Sequence, residues 1–137
     1  MSFLQLEEKT FLISGLANKK SVAYFSAKTL IEEGAKCLFS VQKEEQITQV
    51  EKLFPGAAII LCDVENAADL ERLPHEVNKY ADHIDGLLHS LAFANFSEGP
   101  RPFHHTKRAD YLQAAQISSF SLVEMCRVLN PLHTSNA

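Results

Sequence analysis

The stretch Gly15-Leu16-Ala17-Asn18-Lys19-Lys20-Ser21-Val22-Ala23 joins an apolar run to a helix-period segment. Gly15 lets the backbone turn sharply and come close to a ligand. Ser21 is placed to cap the helix, whose free N–H groups and positive dipole end stabilise an anion such as a pyrophosphate. The loop holds one glycine, so the three-glycine fingerprint of phosphate loops is absent. An ordinary strand-to-helix turn with a serine cap explains this segment equally well.

Three further segments stand where apolar runs give out. Gln42 follows Cys37-Leu38-Phe39-Ser40-Val41 and offers neutral hydrogen bonds to a ribose or base. In nucleotide sites an acidic residue usually stands there, and a 2′-phosphate calls for an arginine nearby. Lys43 is the adjacent cation, so the pattern leans to NADH over NADPH. Asp63-Val64 can read an adenine edge, the carboxylate accepting from the amino group and the next N–H donating to a ring nitrogen. Asp63 can equally cap the turn that follows it. His89-Ser90-Leu91-Ala92-Phe93-Ala94-Asn95 is rich in small residues that let a flat ligand pass close to the backbone, or that simply pack a strand end. His89 alone reads as a core or edge histidine. His104-His105 lacks the spacing and partners of a metal site, Lys107-Arg108 reads as surface charge, and no serine stands on a nucleophile elbow.

These segments need elements to hold them. Residues 10–14, 37–41, 58–62 and 86–90 read as strands. Residues 21–33, 44–54 and 69–81 read as helices, with Ala23, Ala27, Leu30 and Ile31 inward on the first and Leu70, Leu73 and Val77 on the third. Pro74 weakens that third helix. After a loop over 95–107, a long helix is expected over 109–129, with Leu112, Ala115, Ser119, Leu122, Cys126 and Leu129 as its buried stripe. Pro131 ends it. Strands alternating with helices predict βαβ units, right-handed crossovers and a Rossmann-like three-layer α/β/α domain over 1–131. The expected strand order is 3-2-1-4, with a ligand crevice between strands 1 and 4, where the order reverses. Residues 132–137 carry no pattern.

Composition bounds the rest. The 137 residues are 46% hydrophobic and 22% charged, enough for one core, and the net charge is −4. That charge argues against nucleic acid, and no run is long enough for a membrane span. The N-terminus lacks a secretory signal, so a cytoplasmic location is expected. Cys37, Cys62 and Cys126 are best explained as buried thiols in a reducing compartment.

In this order and on these elements, the segments resemble the short-chain dehydrogenase/reductase superfamily, and within it the divergent branch of NADH-dependent enoyl-acyl carrier protein reductases. The carrying residues are Gly15 with Ser21-Val22-Ala23, Gln42, Cys62-Asp63-Val64, His89 to Ala94, and Ile117-Ser118-Ser119-Phe120-Ser121, and the likeness spans about residues 3–131. The resemblance implies that Gly15, Ser21 and Val22 contact the pyrophosphate and nearby ribose, and that Gln42 lies by the adenosine. It implies that Asp63 and Val64 read adenine, that Leu91 and Ala92 flank the nicotinamide-side ribose, and that Ile117 backs the cofactor. Ala94 would edge the acyl pocket. The implied reaction is hydride transfer from NADH to an enoyl thioester on acyl carrier protein, in a homotetramer that packs through the long helix. The family's catalytic tyrosine and lysine follow the next strand. None of Tyr24, Tyr80 and Tyr111 matches that tyrosine, so no catalytic residue is assigned and a truncated, inactive chain is expected. The alternatives are another short-chain reductase and a non-catalytic dinucleotide-binding fragment.

Overall fold

The computed structural model describes residues 3–137. Its sheet contains β1 (Thr10–Ser14), β2 (Lys36–Val41), β3 (Ala58–Leu61) and β4 (Gly86–His89), all parallel, in the order β3-β2-β1-β4. The expected topology is therefore the observed one. Between strands run α1 (Val22–Glu32), α2 (Glu44–Leu53) and α3 (Ala67–Asn78). After β4 and a loop with a 3₁₀ turn at Phe103–His105 come α4 (Arg108–Ala115), a π-helical turn (Gln116–Phe120) and α5 (Ser121–Leu129).

The three layers follow from the two-residue period of the strands. Leu12, Leu38 and Ile60 face one way and pack with Leu70, Leu73 and Val77 of α3 and with Met125, Val128 and Leu129 of α5. Ile13, Phe39 and Val41 face the other way, onto Ala23 and Ala27 of α1 and Val50 of α2. The central strands β1 and β2 are buried on both faces, which is why they read as nearly unbroken apolar runs, while β3 and β4 at the sheet edges are largely half-buried. The small Ala23 and Ala27 let α1 approach the sheet closely, and Ser21 caps its first turn by accepting from Tyr24 N–H at 3.2 Å.

Several expectations need correction. Ile31 is largely exposed on α1, leaving Ala23 and Ala27 as its buried face. The third helix starts two residues earlier than expected, where the Asn66 side chain accepts from Ala68 N–H at 2.9 Å, and it runs through Pro74 to Asn78. Of the stripe expected on the long helix Leu129 is buried and Ala115 half-buried, but the other buried residues are Ile117, Ser121, Met125 and Val128. Leu112, Ser119, Leu122 and Cys126 face outward. This helix is apolar on more than one side, and the π turn shifts its phase, so a fixed 3.6-residue count started at Leu112 selects the wrong face.

The segment from Leu132 onward is not without structure. Asn130–Leu132 forms a 3₁₀ turn, Leu132 is buried, and His133 bridges Ile84 in parallel. Ile84 N–H donates to Leu132 O (2.9 Å) and Thr134 N–H donates to Ile84 O (3.1 Å). These bonds lie beside the start of β4, next to Asp85. The Asp85 carboxylate accepts from Thr10 N–H at 2.8 Å and pairs with Lys9 at 3.2 Å, so it clamps β1 to the β4 approach. Burial alone would raise the Asp85 pKa, but the Thr10 N–H, Lys9 and His83 outweigh it and hold the carboxyl below its ordinary value. A depressed folded-state pKa gives stability that is present above the unfolded value and lost as pH falls through the folded one. Asp85→Ala should therefore lower stability by about 1–3 kcal/mol at pH 7. In urea midpoints measured across pH, the gap from the parent should narrow as pH drops below about 4.

Candidate functional site

β1 and β4 are neighbours, but the chain leaves them towards opposite faces of the sheet. After β1 it turns to α1, and after β4 it crosses to α4. The two exits part above the sheet, and a cleft of about 370 Å³ opens at the carboxyl ends of the strands. That volume suits a small-molecule ligand.

Gly15 makes the parting possible. Its φ is +94°, and a Cβ placed there would lie 1.9 Å from Ser90 O. Any side chain would both collide with the β4 exit and strain the backbone. Ser90 N–H in turn donates to Ser14 O at 3.0 Å, so the two exits are locked together just below the cleft.

The polar end of the cleft lies over β2 and β3. Gln46 Oε1 accepts from both Gln42 N–H and Lys43 N–H at 2.9 Å, which fixes the turn after β2. Gln42 Nε2 stands 3.4 Å from Asp63 Oδ2. Asp63 Oδ1 accepts from Glu65 N–H at 3.0 Å, and Asp63 N–H donates to Asp69 Oδ2 at 3.0 Å. Asp63 thus both caps its own turn and faces the cleft, so the two sequence readings of this residue are compatible. Cys62 lines the floor between them. Burial, with the nearby Asp69 and Asp63 carboxylates, pushes its thiol up to about 12, and Cys37 on β2 is raised to about 11 by burial. Neither thiol is a nucleophile at neutral pH.

The other end is apolar. Leu91, Ala92 and Phe93 form one wall, with Ile117 from the π turn opposite. The residues expected to act together are largely brought together: Gly15, Gln42, Asp63, Val64, Leu91, Ala92 and Ile117 all line this cleft. Ser21, Val22 and Ala94 do not. The Ser21 hydroxyl is engaged within its own turn, donating to Asn18 O at 2.7 Å, while Val22 is 68% exposed and Ala94 is also exposed. The sequence reading missed Ser40, Gln46 and Glu65. Their only signal was adjacency to strand ends already singled out. His89 points away from ligand chemistry. Burial holds its imidazole below the ordinary value, and its Nε2 lies 2.7 Å from Ser121 Oγ.

A polar pocket over β2–β3, an apolar slot over β4 and a sharp glycine turn between them, at a strand-order reversal, form a nucleotide-binding architecture. The family model described as Enoyl-(Acyl carrier protein) reductase matches residues 15–137. The chain belongs to that family. Over 124 residues it is 39% identical to the enoyl-acyl-carrier-protein reductase (NADPH) of Staphylococcus aureus, covering 87% of this chain and 48% of that one. Over 128 residues it is 34% identical to the enoyl-acyl-carrier-protein reductase (NADH) of Enterococcus faecalis, covering 93% and 51%. The crystal structure of the Aquifex aeolicus enoyl-acyl-carrier-protein reductase (NADH) superposes with a TM-score of 0.87 at 31% identity, over 95% of this chain and 58% of that one. The chain thus spans about half the length of the curated reductases it matches. The members named for NADH and for NADPH show that the family's nucleotide choice varies.

Because the Gly15 turn holds the cleft open, Gly15→Ala should destabilise the fold by at least about 1–3 kcal/mol, through strain and the clash with Ser90 O. A thermal midpoint equal to the parent's would refute the tight β1–β4 junction.

Proposed function

We propose that this chain is the dinucleotide-holding part of an NADH-dependent reductase that converts a trans-2-enoyl thioester on acyl carrier protein to the saturated acyl thioester. The observation that carries this reading is the convergence of Gln42, Asp63, Leu91, Ala92 and Ile117 on one cleft at the sheet's order reversal. The residues fit the cofactor. Asp63 accepts from an adenine amino group while the Val64 N–H meets the ring nitrogen, and the half-exposed Gln42 amide reaches the adjoining ribose. Gly15 leaves room for the pyrophosphate to approach the backbone, with Ser21 and Val22 at the helix start beside it. Leu91, Ala92 and Ile117 flank the nicotinamide end, with Ala94 at the edge of the acyl site.

When bound, the dinucleotide supplies the hydride. The chain's own contribution is to hold that ring in a fixed position next to the enoyl group, which lowers the barrier by orientation. NADH is favoured because Gln42 is neutral and is directed by the Asp63 carboxylate, and a 2′-phosphate beside that carboxylate meets like charge. One observation favours NADPH instead: Lys43 also lines the cleft, so a 2′-phosphate has a cation within the site. As a working enzyme we place it in the cytoplasm, as a homotetramer. The exposed apolar residues of the long helix, Tyr111, Leu112, Phe120, Leu122 and Val123, suit a subunit contact. Among the described residues no helix is long and apolar enough to cross a membrane.

Titration of the native-length protein with NADH and NADPH tests the reading. Saturable binding is expected, tighter for NADH, and Asp63→Ala should weaken it by roughly 1–3 kcal/mol. Unchanged affinity in that variant rules out adenine at Asp63, and tighter NADPH binding assigns the choice to Lys43.

A further inference from the structure

Beyond Ser90 the chain leaves the sheet, and residues 91–94 have no regular structure, although 91–93 form one wall of the cleft. Among the described residues, the only hydrogen bonds to the backbone of 91–94 come from a single hydroxyl on the opposite side. Ser118 Oγ accepts from Phe93 N–H at 2.9 Å and donates to Phe93 O at 3.2 Å. One side chain thus satisfies both backbone polar groups of Phe93, as a neighbouring strand would.

Ser118 lies in the π turn, one residue after Ile117. Three residues further on, the fully buried Ser121 donates to Ile117 O at 2.6 Å. Its Oγ also lies 2.7 Å from Nε2 of His89, the last residue of β4, so one hydroxyl ties the helix to the strand end. The π turn and the first residue of α5 therefore grip the β4 exit on both sides of Leu91–Ala92: at His89 through Ser121, and at Phe93 through Ser118. The residue that faces these two across the cleft, Ile117, belongs to the same turn. A π turn widens the helix locally and often marks a functional site. Here the turn and the α5 residue that follows it present a ligand-facing side chain and two clamping hydroxyls within five residues.

We propose that Ser118 is a positioning residue. It sets the width of the slot between Leu91–Phe93 and Ile117, and hence the placement of the nicotinamide end of the dinucleotide, while the Ser121–His89 pair keeps the turn in register. This inference rests on the dinucleotide reading of the cleft. Ser118 touches no ligand in this account. It acts through the Phe93 backbone.

The test uses the native-length protein with Ser118→Ala and Ser118→Thr, reading NADH affinity, enoyl thioester turnover and melting midpoint together. Ser118→Ala should raise the NADH Kd about tenfold, the scale of one or two lost net hydrogen bonds. Its kcat should fall while the KM for the enoyl thioester stays within about twofold, because ring placement and not thioester binding is disturbed. Ser118→Thr keeps the hydroxyl and should restore both values to within about twofold, with the two variants melting within about 2 °C of each other. Parent-like affinity and turnover in Ser118→Ala overturn the proposal. So does a loss that Thr fails to rescue and that tracks a fall in melting midpoint, since that marks a structural role only. If the parent protein binds neither NADH nor NADPH, the cofactor reading itself fails, a result distinct from parent binding with an indifferent Ser118.

Discussion

The close approach of Gly15 to Ser90 is the constraint on which the site depends. Parallel strands carry their connections at their ends, and two neighbours whose connections leave to opposite faces must part there. Without a Cβ at position 15 the two backbones meet at a distance no other residue allows, and the cleft opens directly above that contact. The position of the cleft is a consequence of how these two strands sit together.

Around that junction the protein is made rigid by polar groups used in pairs. Asp85 ties β1 to the approach of β4 at the foot of the sheet. Gln46 fixes the turn after β2 through two backbone N–H groups, and Asp69 fixes the turn after β3 through Asp63 N–H. Ser118 and Ser121 hold the far wall. Each of these turns would otherwise leave backbone donors or acceptors unpaired beside a cleft from which a bound ligand expels water, a costly arrangement. The result is a cleft with fixed dipoles and acceptors over β2 and β3 and mainly apolar side chains over β4. The buried cysteines take no part, being held as thiols by desolvation.

The sheet was legible because its central strands are buried on both faces: runs such as Phe11-Leu12-Ile13 and Cys37-Leu38-Phe39 have little alternative as structure. The positions of Gly15, Gln42, Asp63 and Leu91 in one cleft followed from the order 3-2-1-4 alone, since each ends or follows a strand. What the sequence left hidden depended on tertiary choices. The long helix has apolar residues on several sides, so only contact with the sheet decides that Met125 and Val128 go inward and Leu122 outward. The π turn has no composition signal, and with it the roles of Ser118 and Ser121 were out of reach. Residues 132–134 have no period of their own and take their structure from Ile84. Ser21 was correctly read as a helix cap, but that same role occupies its hydroxyl and sets it back from the cleft wall.

A crystal structure of the native-length protein with bound NADH tests the central claim most directly. The account predicts adenine against Asp63 and Val64, the pyrophosphate over Gly15, and the nicotinamide in the slot between Leu91 and Ile117. Density for the dinucleotide elsewhere, for instance along the lysine-lined groove of Lys19, Lys20 and Lys52, with the β1–β4 cleft holding only water, would contradict it.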